Sequence, residues 1–530
     1  MVEKDLLCHW ADAVAEKIIR ERGDVDLYTC ASGITPSGTV HLGNFREIIT
    51  VDLVVRALRS RGKNVRFIYS WDDYDVFRKV PLNMPCQDEL AKYLRFPITL
   101  VPDTTGRDKN YARHHEVDIE TELSKVGIAP EFLYQAERYR SHRYTEGMKK
   151  ALQNRELIKQ CLNEYRDDEH KMKESDEYWP ISVFCSACNK DTTKIISYDG
   201  DYKVSYECEC GYKATEDLRE SEGFKLGWRV DWPMRWNEEK VIFEPGGKDH
   251  VSPGGSYDTA KLISKRVYGW QAPVTMKYDF VGLKGVPGKM SSSKGKVIAL
   301  SDALLVYQGE VLRYIFASNK VDHEFAISFD VDVINVYEAY DKAERIAYGL
   351  EEAKNAELSK KEKRTYMLSQ LSSEMEADAP YQIPFRLLTT LLQTYSGDVE
   401  KVIASFSDIK ENQKERVRRR AACAWYWVNE CASDEFRFSL RSSGEHENLT
   451  EAESAIVRGI KEKVAPFVDD EDEQAISQKI FDVAVSNGVK PKELFIVMYR
   501  VLISKTNGPR LASFMKIIGR EKLLALLSAY

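Results

Sequence analysis

The chain holds no run of about 20 apolar residues, so no helix is expected to span a bilayer. Its opening, MVEKDLLCHWADAVAEKIIRERG, mixes acids with apolar residues, which suits neither a secretory signal nor a transit peptide, and a cytoplasmic location is expected. Cysteine is sparse: 10 in 530 residues exclude a disulfide scaffold, and four of them share one short window, which points to metal. Basic charge does not dominate either. A net charge of −7 excludes a protein that coats nucleic acid, leaves room for a local basic site, and gives no reason to expect a DNA partner. There is no internal repeat and no low-complexity tract. With 43% apolar residues the chain is too hydrophobic for disorder, and its length calls for several domains.

What is present begins with CASGITPSGTVHLGNFREII, Cys30 to Ile49. LYTCASGI reads as a buried strand, FREIITVDLVVRALRSRG as a helix packed on a sheet, and NVRFIYSW as another strand. This βαβ unit implies an α/β fold with a doubly wound, Rossmann-type parallel sheet. A second block, from KVIFEPGGKDH to PVTMKYDFVG, follows a charged stretch and the cysteine window, so the sheet is expected to be split by an insertion. From about Ser301 the pattern is almost wholly helical. The expected division is 1–140 and 226–297 for the two catalytic halves, 141–225 for the insertion, 298–345 for a connector and 346–530 for an all-α region.

A strand that runs through a glycine-rich turn into a helix presents free N–H groups and a positive dipole end to an anion. The spacing matches neither G-x-x-x-x-G-K-[ST] nor G-x-G-x-x-G. Instead His41, Leu42, Gly43 and Asn44 occupy the junction, where an imidazole can donate to a phosphate and Gly43 lets a flat base approach. The plain alternative is a surface loop with an incidental histidine. GVPGKMSSSKG, Gly285 to Gly295, then supplies a Gly/Ser loop whose Lys289 and Lys294 can close over a triphosphate, with Ser291 and Ser293 between them.

The two motifs in this order resemble the class I aminoacyl-tRNA synthetases, with their H-x-G-H and K-M-S-K-S signatures. TPSGTVHLGN, SWDDYDVFRKVP, GGKDHVSPGGSYD and KMSSSKG, with a Cys₄ insertion, resemble the class I lysyl-tRNA synthetases over essentially the whole chain. Asn44 stands where the second histidine is usual. Ser292 holds the usual second lysine position, so which lysine meets which phosphate is left open.

The resemblance implies lysine, ATP, Mg²⁺ and tRNA(Lys) as substrates and partners, lysyl-adenylate as intermediate, and a monomer. It implies phosphate contacts from His41 and Asn44, and adenine and ribose contacts from Gly43, Gly247 and Asp249, with a turn carboxylate making only an Asx bond as the plain alternative for Asp249. Lys289 and Lys294, with Ser291 and Ser293, would hold the pyrophosphate. A lysine pocket would draw on Gly33, Thr35, Asp72, Asp73, Trp228, His250 and Tyr278, although core packing accounts equally well for Trp228 and Tyr278. The helical tail would read the anticodon. The alternatives are glutamyl specificity, a small nucleotidyltransferase, which would lack the helical tail, and an RNA-binding paralogue without catalysis.

Cys185-x₂-Cys188 and Cys208-x-Cys210, with a probable hairpin between them, match a closed structural Zn²⁺ site. His114, His115, Asp103 and Asp108 also cluster in sequence, but adjacent helical histidines diverge, and a solvated helix is the expected reading. RYRSHRY (Arg138–Tyr144) and KERVRRRAACAWYWV (Lys414–Val428) interleave arginine with aromatics as RNA contacts do, and each fits equally well as one charged face of an amphipathic helix; in the second, at least one of Trp425 and Trp427 is expected to pack inward.

Overall fold

The computed structural model describes residues 8–82, 84–286 and 297–530. The chain forms two compact units. One comprises Met1–Ala303, Gly309–Ile327 and Ala343–Met375; the other comprises Leu304–Gln308, Ser328–Lys342 and Glu376–Tyr530. The stretch expected to open the helical region at 346 therefore begins inside the first unit.

The first unit opens with α1 (Trp10–Arg22) and is built on a sheet of β1 (Tyr28–Ile34), β2 (Val65–Trp71), β3 (Glu131–Tyr134) and β9 (Val241–Phe243), in the order β3-β2-β1-β9 and parallel throughout. β1 is central, and its residues Tyr28 to Ser32 are buried, as the near-continuous apolar run of an interior parallel strand requires. Between β1 and β2 runs α2 (Leu42–Arg59), whose Ile48, Ile49, Val51, Leu53, Val54 and Val55 are fully buried. α2 is also covered on its other side by α1 and by two later helices, α5 (Gly309–Ser318) and α6 (Ala356–Ser369). Its polar residues are therefore paired: Asp52 accepts from Arg56 at 2.9 Å and from the fully buried Arg313 at 2.6 Å.

The insertion separates β3 from β9. β4 (Ile181–Val183) and β8 (Phe224–Leu226) pair antiparallel at its root, and β5 (Thr193–Tyr198), β6 (Lys203–Cys208) and β7 (Lys213–Asp217) form an antiparallel meander. Its core residues Val183, Phe184, Val204 and Tyr206 join one cluster with Tyr74, Tyr139 and Met148, so the insertion is rooted in the sheet domain. α4 (Trp228–Glu238) then leads into β9.

The second unit is helical. Its C-terminal core gathers Val457, Ile460, Ile476, Leu494, Met498, Phe514 and Met515, and a buried pair joins Arg420 to both oxygens of Asp341 at 2.8 and 2.5 Å. Among the described residues no helix is long and apolar enough to cross a membrane.

Candidate active site

His41 caps α2. Its Nδ1 accepts the Gly43 N–H at 3.1 Å, while Asn44 Oδ1 accepts the His41 N–H at 3.2 Å, a reciprocal capping box. Burial lowers the His41 pKa to about 4, so the ring is neutral at physiological pH. With Nδ1 engaged as an acceptor, the ring proton belongs on Nε2, which makes that nitrogen a donor. The glycine-rich turn thus ends in a donor at the positive end of a helix. The backbone at His41 also bridges Ala299, and the Leu42 N–H donates to Ile298 O at 2.9 Å. Ile298 and Ala299, which follow the lysine loop in sequence, are thereby tied to the α2 N-terminus. Lys289, Ser291, Ser293 and Lys294 lie outside the described residues.

Beside this corner, at the C-terminal ends of the strands, lies a cavity of about 110 Å³. β1 has β2 on one side and β9 on the other, so the cavity sits where strand order reverses, the usual ligand position in an open α/β sheet. Gly33 is required here, since a Cβ would come within 2.9 Å of both the Ser70 Cβ and the Ser70 carbonyl oxygen. One wall is a stripe along α4: Trp228 stacks on Trp232 with ring centroids 5.1 Å apart, Trp232 lies 4.8 Å from Trp236, and His250 lies 5.3 Å from Trp228. Four acids reach the cavity. Glu239 is balanced by Arg66 at 2.9 Å. Asp72 is balanced by Arg235 at 2.6 Å. Glu244 accepts from the Trp236 indole at 2.5 Å, and burial pushes its pKa to about 7. Among the described residues Glu47 accepts only from neutral donors, Ser32 Oγ and Gly33 N at 3.1 Å each and Tyr278 OH at 2.6 Å, and burial raises its pKa.

The structure thus brings Gly33, Asp72, Trp228, Gly247 and His250 to one cavity. Four other candidates do not line it. Tyr278 reaches it through Glu47. Thr35 donates to Asp75 at 2.8 Å in a neighbouring groove. Asp73 is turned away, buried and accepting the Ala136 N–H at 2.8 Å. Asp249 is exposed, on the short helix Lys248–Val251 that also carries His250.

In the insertion the sulfurs of Cys185, Cys188, Cys208 and Cys210 all lie within 4.8 Å of one another, with Cys185–Cys210 at 3.8 Å and Cys188–Cys208 at 3.6 Å. Tetrahedral zinc with Zn–S of about 2.3 Å spaces its sulfurs by roughly 3.8 Å, so the four thiols fit that ion. Both knuckles are tight turns: Asn189 takes φ 60° after the first, and Gly211 takes φ 92° after the second.

The family described as "tRNA synthetases class I (K)" matches residues 8–372. The chain belongs to that family. Among curated proteins, this synthetase is 54% identical to a lysine–tRNA ligase of Treponema pallidum (strain Nichols), with 100% of this chain and 99% of the relative covered. It is 47% identical to one of Borreliella burgdorferi and 42% identical to one of Thermococcus kodakarensis, in each case over 98% of this chain and 99% of the relative.

Elsewhere in the synthetase, His114 faces Asp103 at 3.3 Å, while Arg107 takes Asp108 and Asp118 at 2.7 Å each; His115 is buried edge-on against Tyr111. A guanidinium thus balances two of the acids there. The aromatics of the segment Arg138–Tyr144 belong to the core: Tyr139 and Tyr144 are buried, and Arg143 pairs with Glu238. In the second arginine-rich segment, Trp427 packs inward and donates to Phe329 O at 3.0 Å, while Trp425 is half-buried.

Sequence reasoning passed over Glu47, Arg235, Glu244, Trp232 and Trp236. The tryptophans had a signal, their i, i+4, i+8 spacing in WRVDWPMRW. Glu47 had none, since an acid in NFREII reads as a solvated helix position.

Proposed function

We propose that the protein is a lysine–tRNA ligase. What carries the reading is full-length similarity to curated proteins of that name. Lysine and ATP give lysyl-adenylate and diphosphate; the adenylate and tRNA(Lys) then give lysyl-tRNA and AMP. The lysine carboxylate attacks the α-phosphorus and diphosphate leaves. The terminal adenosine hydroxyl of the tRNA then attacks the acyl carbon and releases AMP. No covalent enzyme intermediate is needed, so the protein's task is positioning and charge stabilisation.

In this reading neutral His41 donates from Nε2, and Asn44 from its amide, to ATP phosphates at the α2 N-terminus. Gly43 and Gly247 flank adenine and ribose, and Asp249 accepts from a ribose hydroxyl. Lys289 and Lys294, with Ser291 and Ser293, hold the departing diphosphate, and Mg²⁺ enters with ATP. The thiolates of Cys185, Cys188, Cys208 and Cys210 would hold zinc, which would fix the insertion.

The tryptophan wall takes the methylene stem of lysine, and Glu47 takes an ammonium group. Asp72 is already neutralised by Arg235, whereas Glu47 is a half-buried carboxylate whose hydrogen-bond donors among the described residues are neutral, and a substrate cation would compensate it. Arg235 lies in the cavity as well, but Asp72 and Asp231 (3.3 Å) occupy it, which disfavours a glutamate substrate. A cytoplasmic location and a monomeric state complete the proposal. The test is aminoacylation of total tRNA with each of the twenty amino acids in turn: charging with lysine alone is expected, and charging with another amino acid overturns the specificity.

A further inference from the structure

The tryptophan wall of the cavity is held from outside its own helix. α4 carries Trp228, Trp232 and Trp236, whose rings follow one another at 5.1 and 4.8 Å. A buried indole needs a partner for its N–H, and Trp236 is fully buried. Its Nε1–H donates to Glu244 Oε2 at 2.5 Å. Glu244 directly follows β9, and its own N–H donates to Val274 O at 3.2 Å, so its backbone is fixed by the strand region. One hydrogen bond therefore ties the last ring of the wall to the end of the sheet.

The acceptor is a carboxyl among other charges. Glu47, Asp72, Arg235, Glu239 and His250 share the cavity with it, and Tyr257 acts on it from the helix Ser256–Ile263. Burial pushes Glu244 up to about 7, with Glu47 adding to the rise, against hydrogen bonding from the Trp232 and Trp236 side chains and the charge of Arg235. Ionised, both of its oxygens accept and the bond to Trp236 is charge-assisted. Protonated, one oxygen becomes a donor and the bond loses its charge.

We propose that Glu244 is a positioning residue for lysine: through the Trp236 indole its carboxylate sets the tryptophan wall against the methylene stem, and it makes no contact of its own with the substrate. The inference rests on the lysine–tRNA ligase reading and on Glu47 as the ammonium site. Because the group that grips the wall changes charge near neutrality, the grip tightens above about pH 7 and slackens below it.

The test uses the full-length native protein, Glu244→Gln and Trp236→Phe. Glutamine keeps the shape of the carboxylate but accepts through one oxygen and carries no charge; phenylalanine keeps an aromatic ring and removes the N–H. In protein labelled with ¹⁵N-tryptophan and free of substrate, the indole resonance that Trp236→Phe deletes should move between about pH 6 and pH 8, with its midpoint near 7, and stand still in Glu244→Gln. In lysine charging, the native lysine KM should rise from about pH 8 to pH 6 by about tenfold more than that of Glu244→Gln, with the ATP KM within about twofold. Glu47 is present in every protein compared, so the part of the dependence that Glu244→Gln removes is the part Glu244 carries. Trp236→Phe should remove the same part. A native profile in Glu244→Gln would overturn the proposal. A dependence that survives in Trp236→Phe but not in Glu244→Gln would make Glu244 a direct contact of the substrate, and a Trp236 resonance unmoved by pH would take the wall out of its control. The resonance is read without substrate and charging by the native protein tests the underlying reading, so the two can fail separately.

Discussion

The α2 N-terminal corner, proposed to meet phosphate, and the cavity proposed to hold the amino acid are neighbours built in opposite ways. At the corner, His41, Gly43 and Asn44 lie within four consecutive residues, and each depends on the others through backbone bonds. The cavity draws Gly33 from a strand, Glu47 from a helix, Asp72 from a loop and the tryptophans from a helix beyond the insertion. A local site is specified by a motif; a composite site is specified by the fold. The cysteine knuckles belong with the corner, since two short turns supply all four sulfurs.

The difference sets what substitutions should do, beginning with the largest effect. Loss of zinc, by chelation or by Cys188→Ser, should unfold the insertion, because metal binding to such sites is worth on the order of 10 kcal/mol. Metal analysis should find about one zinc per chain, and proteolysis of the chelated protein should cut within 185–217. Full resistance after metal removal would contradict a structural role. Glu47→Gln should raise the lysine KM by about 100-fold, as expected when one partner of a buried charged contact is lost, with the ATP KM nearly unchanged. A native lysine KM would move the ammonium site to Asp72 or Glu244. His41→Ala should give the converse split, with kcat for adenylate formation falling about 10- to 100-fold and lysine affinity unaltered. If both variants moved both parameters alike, the two sites would have to be treated as one.

The same contrast explains how much was legible in advance. The split parallel sheet followed from apolar strands alternating with an apolar-faced helix. The His41 junction and the cysteine knuckles followed from spacing. The cavity did not, because nothing in WDDYD distinguishes Asp72, which reaches the cavity, from Asp73, which points the other way. Successive residues leaving a strand face opposite sides, and only the position of β3 and its following helix decides which side holds the ligand. Arginine beside tyrosine in RYRSHRY fitted two readings for a related reason: Tyr139 and Tyr144 are core residues whose arginine neighbours are half-buried or exposed, an amphipathic pattern that composition alone does not tell from an RNA-binding stripe.

Asp73 offers the smallest and most discriminating measurement. Its carboxyl is buried, holds the Ala136 N–H and has its pKa raised to about 7, chiefly by burial. In the unfolded chain an aspartate titrates near ~3.9. Between those values the folded protein binds a proton that the unfolded chain does not, so this group makes stability fall as pH rises from about 4 to 7. Asp73→Asn keeps a carbonyl oxygen for Ala136 and removes the titration. Its unfolding free energy should therefore vary less over that window than the native protein's, and the gap should be widest above pH 7, with the variant the more stable there. The lysine KM should stay within about twofold, since the side chain does not line the cavity. A variant that lost lysine affinity while keeping the native pH profile of stability would show that Asp73 reaches substrate during turnover, and the line between the motif-built corner and the fold-built cavity would have to be redrawn to include it.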